Sequence, residues 1–108
     1  MANKEETIIQ NKIRVALCKE GCLVFRCNTG DFYTKWGQEI KIGQPGHSDL
    51  YGVRPDGKAV FIEVKKPKTG KASEEQKRFI EAVKKKNALA GFARSVEDAL
   101  KIVFPENY

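Results

Sequence analysis

Apolar residues in the first part of the chain recur with the spacing of an amphipathic helix. Ile9, Ile13 and Leu17 fall on one stripe, and this stripe predicts a helix over Asn3–Lys19. Gly21 lies two residues after Lys19 and is typical of the left-handed residue that ends a helix. The chain therefore begins with a helix that buries one of its sides.

The same spacing predicts two more helices in the second half of the chain. In residues 73–86, Phe79 and Ile80 lie on the apolar stripe of one helix. Ser95 is a good N-cap for a last helix, and Pro105 ends that helix because proline cannot continue it.

Strands are predicted where β-branched and aromatic residues cluster between turn signals. The turn signal at Pro55–Lys58 makes a β-hairpin of the strands on either side of it. A second hairpin is predicted in the long polar segment before it, with Phe32–Lys35 facing Glu39–Ile42. The other predicted strands are Cys22–Cys27, Asp49–Arg54, Ala59–Lys66 and Ala88–Ala93.

The order of these elements is α-β-(β-β)-β-β-α-β-α, which predicts an α/β fold with a mixed central β-sheet flanked by helices. The 108 residues suffice for one core, so we expect a single domain over residues 1–108. No apolar run approaches the roughly 20 residues of a membrane span, and the polar N-terminus lacks the apolar region of a signal peptide. We therefore expect a cytoplasmic protein without membrane contact.

The net charge of +6 favours a polyanionic partner such as a nucleic acid, since basic side chains are attracted to phosphates. The cysteines do not add a metal site to this interpretation. Cys18, Cys22 and Cys27 lie close together, and His47 is the only histidine. With no second cluster to complete a zinc site, we expect three reduced, mostly packed thiols.

The strongest predicted strand also carries candidate chemistry. Alternate residues of a strand share a face, so Val60, Ile62 and Val64 are expected to face the core. Glu63 and Lys65 are then expected on the opposite face, side by side. A Glu-x-Lys pair on a strand is common, however, and most copies are solvated surface pairs.

Asp49 begins the strand that precedes this one in the hairpin, and the turn can bring it beside Glu63. Two converging carboxylates make a hard-oxygen site for Mg²⁺ or Mn²⁺. Such a metal ion activates water and polarises a phosphoryl oxygen, and Lys65 beside it can hold the attacking water and stabilise charge on the phosphate. These are the parts that phosphodiester hydrolysis needs.

A series of motifs, in order over nearly the whole chain, resembles the PD-(D/E)XK nuclease superfamily and, more narrowly, the stand-alone virus-type replication-repair nuclease (VRR-NUC) domain. Ser48 stands where the loose superfamily consensus has proline. The matching motifs are Glu6-x-x-x-Gln10, Gly21-x-Leu23-Val24-x-Arg26, Asn28-Thr29-Gly30, Gly43-x-Pro45-Gly46-x-x-Asp49-Leu50-x-Gly52, Ile62-Glu63-Val64-Lys65, Ser73-x-x-Gln76 and Ala93-Arg94-Ser95-Val96-Glu97-Asp98-Ala99.

The resemblance implies a restriction-endonuclease-like core and a role for each matching position. Asp49 and Glu63 would bind Mg²⁺ or Mn²⁺, with the Val64 backbone carbonyl as a third oxygen. Lys65 would be the catalytic lysine. The resemblance also implies a bacterial or phage origin.

Two further roles follow from the resemblance, and each has a structural alternative. Glu6 would support the metal site, through water or directly, but it also has capping-box spacing from Asn3. Gln76 would orient Lys65 or the attacking water, but it has the same spacing from Ser73. Glu5 is the nearest competitor for the role of Glu6.

Basic and aromatic residues near the proposed site are candidates for DNA contact. Phosphate contacts from them would supply affinity with little sequence preference. Trp36 would stack on an unpaired base, or instead pack down and pin its loop. His47 is interpreted as a loop residue. The candidate DNA-binding residues are Arg26, Lys35, Trp36, Lys41, Lys66 and Lys68, with Lys71 in the same group.

These features lead to the prediction of a metal-dependent endonuclease that is selective for DNA structure and acts on four-way junctions or flaps in recombination or repair. The resemblance also implies a homodimer, whose two sites suit branched DNA. No small organic cofactor is expected. The alternatives are a related nuclease with another nucleic-acid target, and a nucleic-acid-binding module without catalysis.

Overall fold

The computed structural model describes residues 4–27, 30–33, 35–42, 48–68 and 70–108, without the side chains of 4, 30–33 and 39–42. The elements, in chain order, are α1 (Lys4–Lys19), β1 (Leu23–Arg26), β2 (Gly30–Tyr33), β3 (Glu39–Ile42), β4 (Leu50–Val53), β5 (Ala59–Val64), α2 (Glu74–Lys85), β6 (Leu89–Ala93) and α3 (Val96–Val103), followed by a 3₁₀ turn at Pro105–Asn107.

Four strands form the central sheet in the order β1-β4-β5-β6, and β2 pairs with β3 in a separate two-stranded sheet. Pairing is antiparallel from β1 to β5, whereas β5 and β6 run parallel. The predicted order of elements and the mixed sheet are therefore confirmed. The first hairpin differs by two residues, because Tyr33 rather than Lys35 pairs with Glu39.

The core lies between the sheet and the two terminal helices. Val60, Ile62 and Val64 are buried there, as the alternation along β5 predicts. Ile13 and Leu17 of α1 pack in the same cluster, with Val103 from α3. Burial of these side chains stabilises the domain by roughly 1.5–3 kcal/mol for each large aliphatic group.

The opposite face of the sheet is covered in part by α2. Phe61 of β5 meets Phe79 of α2 edge to face, with ring centroids 5.5 Å apart. Helix α2 begins at a complete capping box, in which Ser73 and Gln76 exchange hydrogen bonds between side chain and backbone. The β5 side chains that point to this face therefore have α2 as their neighbour.

The ends of α1 and α3 are also as predicted where they are described. Gly21 has a φ of +89°, the left-handed conformation that ends α1. The Ser95 side chain accepts a hydrogen bond from the backbone N–H of Asp98 and so caps α3. Asn3, the predicted cap of α1, lies outside the described residues. Among the helices of the described part of the chain, none is long and apolar enough to cross a membrane.

Candidate active site

Asp49 and Glu63 meet at the open end of the β4–β5 hairpin. Leu50 pairs with Ile62, which places the preceding Asp49 opposite Glu63. The Asp49 Oδ2 accepts a hydrogen bond of 2.8 Å from the backbone N–H of Val64. The carboxylate of Asp49 is thus fixed against the strand that carries Glu63 and Lys65.

The backbone around Asp49 is held from both sides. Its carbonyl accepts a 2.7 Å hydrogen bond from the N–H of Cys27, just after β1. Ser48, which stands where the superfamily consensus has proline, is 1% exposed. The Ser48 hydroxyl donates to the carbonyl of Leu50 over 2.8 Å. A hydrogen-bonded serine thus takes this place beside the acid, and its buried hydroxyl is satisfied.

Glu63 and Lys65 are buried, although both point away from the apolar core. Glu63 is 4% exposed and Lys65 is 9% exposed. Their charged atoms, Glu63 Oε1 and Lys65 Nζ, lie 3.8 Å apart. The solvated surface pair that is usual for Glu-x-Lys is therefore not what this strand carries, because helix α2 covers this part of the sheet face.

Gln76 connects the glutamate, the lysine and the start of α2 through one amide group. Its Nε2 donates to Glu63 Oε1 over 2.9 Å. Its Oε1 accepts from Lys65 Nζ over 2.8 Å and from the backbone N–H of Ser73 over 3.0 Å. The amide orientation is fixed by these partners, because only the oxygen can accept from the ammonium group. Both interpretations of Gln76, as a helix cap and as a site residue, describe contacts that it makes.

With both acids ionised, the pair would hold more negative charge than Lys65 alone balances. Burial, and then the neighbouring charge of Asp49, raise the pKa of Glu63 to about 9, against the opposite effect of Lys65. The Glu63 Oε2 is buried and has no hydrogen-bond partner in the described part of the chain. A proton or a cation beside this oxygen would remove the imbalance.

The predicted support from Glu6 is not part of this cluster in the described structure. Glu6 lies in the first turn of α1 and is half-buried. Among the described residues, no group of three acidic, cysteine or histidine side chains has the geometry to hold a metal ion. The role of Glu6, as a ligand or through water, stays a prediction.

The Val64 carbonyl, the predicted third oxygen, belongs to the residue between Glu63 and Lys65. The peptide N–H of the same residue contacts Asp49. Its position in the chain thus places this carbonyl next to the acid pair, and its role as a ligand stays a prediction.

Three of the candidate DNA-binding residues lie beside the acid pair. Arg26 is exposed at the end of β1, directly before the residue that contacts Asp49. Lys66 and Lys68 follow Lys65 in the loop after β5, where Lys66 is half-buried and Lys68 is exposed. This end of the sheet therefore has basic groups next to its two acids.

The other candidate DNA-binding residues belong to the β2–β3 hairpin. Trp36 is 80% exposed in the turn, with Lys35 Nζ 4.6 Å from its ring centroid. The alternative in which Trp36 packs down is wrong, because a packed indole would be buried. The side chain of Lys41, and all of His47, lie outside the described residues.

Arg94 is a residue of the site region for which no role was predicted from the sequence. Its Nη1 donates to the carbonyl of Lys66, and its Nη2 donates to the carbonyl of Gly70 over 2.7 Å. Arg94 thereby fixes the loop that carries Lys66 and Lys68. The sequence pointed to Arg94 only through its place in the motif Ala93–Ala99. A sequence motif does not show which loop an arginine contacts.

Comparisons with known proteins show the family to which the chain belongs. The model of the VRR-NUC domain family matches residues 5–97. A solved structure titled "VRR_NUC domain" superposes with a TM-score of 0.69 and 24% sequence identity, over 98% of this chain and 99% of that chain. No curated protein sequence matches the chain. With its mixed sheet and flanking helices, the chain has a PD-(D/E)XK-like fold and belongs to the VRR-NUC family of nuclease domains.

Proposed function

We propose that the protein is a metal-dependent DNA endonuclease that hydrolyses phosphodiester bonds of branched DNA. The observation that carries the proposal is the buried acid pair, Asp49 and Glu63, joined to Lys65 by Gln76. A purely structural ion pair between Glu63 and Lys65 would not need Asp49 beside it. A second carboxylate raises the free energy needed to bury the first. A site that receives a divalent cation needs both carboxylates as ligands.

The residues fit Mg²⁺ or Mn²⁺. Carboxylate and carbonyl oxygens are the ligands that these hard cations prefer. Asp49 and Glu63 would hold the ion, with the Val64 carbonyl beside them, and the unpartnered Glu63 Oε2 is the atom that gains most. A divalent ion bound there supplies charge to polarise the phosphoryl group and lowers the pKa of water.

Lys65 would act on the phosphate and the attacking water. Its ammonium group is held by Gln76 over 2.8 Å, which leaves further N–H donors for other partners. A fixed cation in a buried site stabilises developing negative charge more strongly than one in water. Gln76 holds the side chains of Lys65 and Glu63 in fixed positions relative to each other, so we propose that it is a positioning residue.

The surrounding basic residues would contact the DNA backbone. Arg26, Lys66 and Lys68 lie at the same end of the sheet as the acid pair, and their phosphate contacts would carry little sequence information. Trp36, with an exposed ring, would stack on an unpaired base of a branch point. This combination favours DNA structure over DNA sequence as the recognised feature.

We also propose that two copies act together, because a two-fold pair presents two acid pairs to a branched substrate. Leu23 and Phe25 are exposed on the edge strand β1, and the Phe25 ring meets that of Tyr51, also exposed, at 5.7 Å between centroids. Exposed apolar surface of this kind supports association. Light scattering should give a dimer, and Phe25→Glu should give a monomer. A monomeric wild-type protein that cuts only flaps would contradict the dimer.

The function is tested by incubating labelled four-way junction, flap and linear duplex DNA with the protein and Mg²⁺ or Mn²⁺. We expect the branched substrates to be cut faster than the duplex, and Asp49→Asn to remove cutting of all three. Equal cutting of all substrates would contradict structure selectivity. Binding without cutting under every metal condition would favour the non-catalytic binding module.

A further inference from the structure

Two buried side-chain oxygens in the described part of the chain lack a hydrogen-bond partner. One is Glu63 Oε2 of the acid pair, and the other is Oε1 of Gln10 in α1, a residue that is 3% exposed. A buried acceptor without a protein partner destabilises a fold, so a water, an ion or a ligand is expected beside such an atom.

Gln10 lies on the side of α1 that faces the sheet. Glu6, Gln10, Ile13 and Leu17 are spaced by four, three and four residues, which places them on one stripe. Ile13 and Leu17 are fully buried in the core, whereas Asn11 on another side of the helix is exposed. Gln10 therefore continues the core-facing stripe beyond its apolar part.

The direction of α1 takes this polar end of the stripe toward the acid pair. At the other end of α1, a Cβ on Gly21 would lie 3.0 Å from Pro55 Cγ, in the β4–β5 turn. Gln10 precedes Gly21 by a helical length of about 16 Å. Asp49 precedes Pro55 by a strand length of about 20 Å. Both lengths start at this contact, and α1 packs on β1 and β5 of the sheet.

We infer that Gln10 contributes its buried side-chain oxygen to the cation site of Asp49 and Glu63, from the α1 side and opposite Gln76. This inference rests on the metal-dependent function proposed above. An amide oxygen suits the place because it adds a ligand, directly or through one water, without adding a third negative charge to a buried pair. Gln10 is then a ligand of the ion, directly or through that water.

The test is Mn²⁺ binding to the full chain without DNA, measured by calorimetry, together with thermal unfolding of the metal-free protein. We expect Gln10→Leu to weaken Mn²⁺ binding about 10- to 100-fold. The metal-free variant should unfold at an equal or higher temperature, because no protein partner of the oxygen is lost. The matched control is Asn11→Leu, an exposed amide one residue away, which should leave Mn²⁺ affinity unchanged.

A second variant tests the same oxygen in the opposite direction. Gln10→Glu should tighten Mn²⁺ binding and lower the unfolding temperature of the metal-free protein, because it places a third carboxylate beside the pair. If Gln10→Leu binds Mn²⁺ like the wild type and unfolds at a lower temperature, Gln10 is a structural residue and the inference is wrong.

Glu63→Gln separates failure of this inference from failure of the proposed function. A wild type that binds no Mn²⁺ would overturn both. If the wild type binds Mn²⁺ and Glu63→Gln does not, an unchanged affinity in Gln10→Leu overturns the role of Gln10 alone.

Discussion

At each end of the β4–β5 hairpin, two carboxylates lie close to a cationic side chain, but with opposite results. At the turn, Arg54 pairs with Asp56 at 2.7 Å and with Glu106 at 2.9 Å. Hydrogen bonds lower the pKa of both of these exposed acids. Asp56 accepts from the backbone of Lys58 and, with less effect, from the Arg54 side chain. Glu106 accepts from its own backbone and, with less effect, from the Arg54 side chain. Both carboxylates at this end are therefore paired with Arg54.

At the open end, Asp49, Glu63 and Lys65 are the corresponding groups. Burial raises the pKa of Glu63 here, and its Oε2 has no partner among the described residues. The difference teaches that burial, and not the set of residue types, decides whether two acids and a cation form a satisfied ion pair or a site that needs a ligand. Four predictions break or sharpen this comparison.

The largest effect is expected from Lys65→Met, which keeps a long apolar side chain in the same place. The rate of DNA cleavage should fall about 10²- to 10³-fold, because a donor held for the phosphate is lost. Thermal unfolding should show a folded protein, since Glu63 can take up a proton when its neighbour is removed. A variant that is folded and cleaves at the wild-type rate would show that Lys65 is not catalytic.

A smaller effect is expected from Gln76→Leu, which removes the link between Glu63 and Lys65. We expect cleavage to fall about 10- to 100-fold, as for other groups that orient catalytic residues. Ser73→Ala is the matched control, because it removes the side-chain cap of α2 and leaves the link in place. It should cost about 1 kcal/mol of unfolding free energy and leave cleavage unchanged. Equal loss of cleavage in both variants would mean that Gln76 acts only as a cap.

The third prediction concerns the pH dependence of stability without metal, measured by urea unfolding with a chelator. Glu63 has a pKa raised from 4.5 to about 9 in the folded protein. Between pH 4.5 and about 9, Glu63 holds a proton in the folded protein but not in the unfolded protein. The stability that this proton contributes is therefore lost as pH rises from 4.5 to about 9. Glu63→Gln should flatten this fall.

The turn end should respond to pH with the opposite sign. The pKa values of Asp56 and Glu106 are lowered by folding, so the stability that they contribute is lost as pH falls through their folded-state pKa values. Glu106→Gln should leave the slope above pH 4.5 as it is in the wild type. A loss of that slope in Glu106→Gln would contradict the assignment to Glu63.

The smallest effect is expected from Arg54→Ala. The variant should unfold at a slightly lower temperature, because exposed ion pairs contribute little, although Arg54 also donates to the Val103 carbonyl over 2.7 Å. Cleavage should not change, since the turn is at the far end of the hairpin. A loss of cleavage comparable to that of Lys65→Met would show that the two ends are not independent.

Much of the fold could be predicted from the sequence, because it depends on local patterns. The alternation along β5 predicts that Val60, Ile62 and Val64 face the core, and the turn at Pro55–Lys58 predicts the pairing that brings Asp49 opposite Glu63. These are consequences of strand periodicity and of one short turn. The register of the β2–β3 hairpin differs from the predicted one by two residues, because a shift of two residues leaves the alternation along a strand unchanged.

The contacts around the site could not be predicted in the same way. Periodicity places Glu63 and Lys65 on the face opposite the core, but it cannot show that α2 covers them. Gln76 has the spacing of a cap, and its three simultaneous partners depend on where α2 packs. Arg94 likewise reaches a loop 24 residues earlier in the chain, at Gly70, a contact that only the packing of the assembled domain determines.

The central claim is that the buried acid pair makes this domain a metal-dependent DNA endonuclease. It is tested most directly by cleavage of a labelled four-way junction with Mn²⁺, with and without a chelator, by the wild type and by two matched acid variants. We predict that the wild type cuts only with free Mn²⁺, that Glu63→Gln does not cut, and that Glu106→Gln cuts like the wild type. Undiminished cleavage by Glu63→Gln, or cleavage that persists with the chelator, would contradict the account.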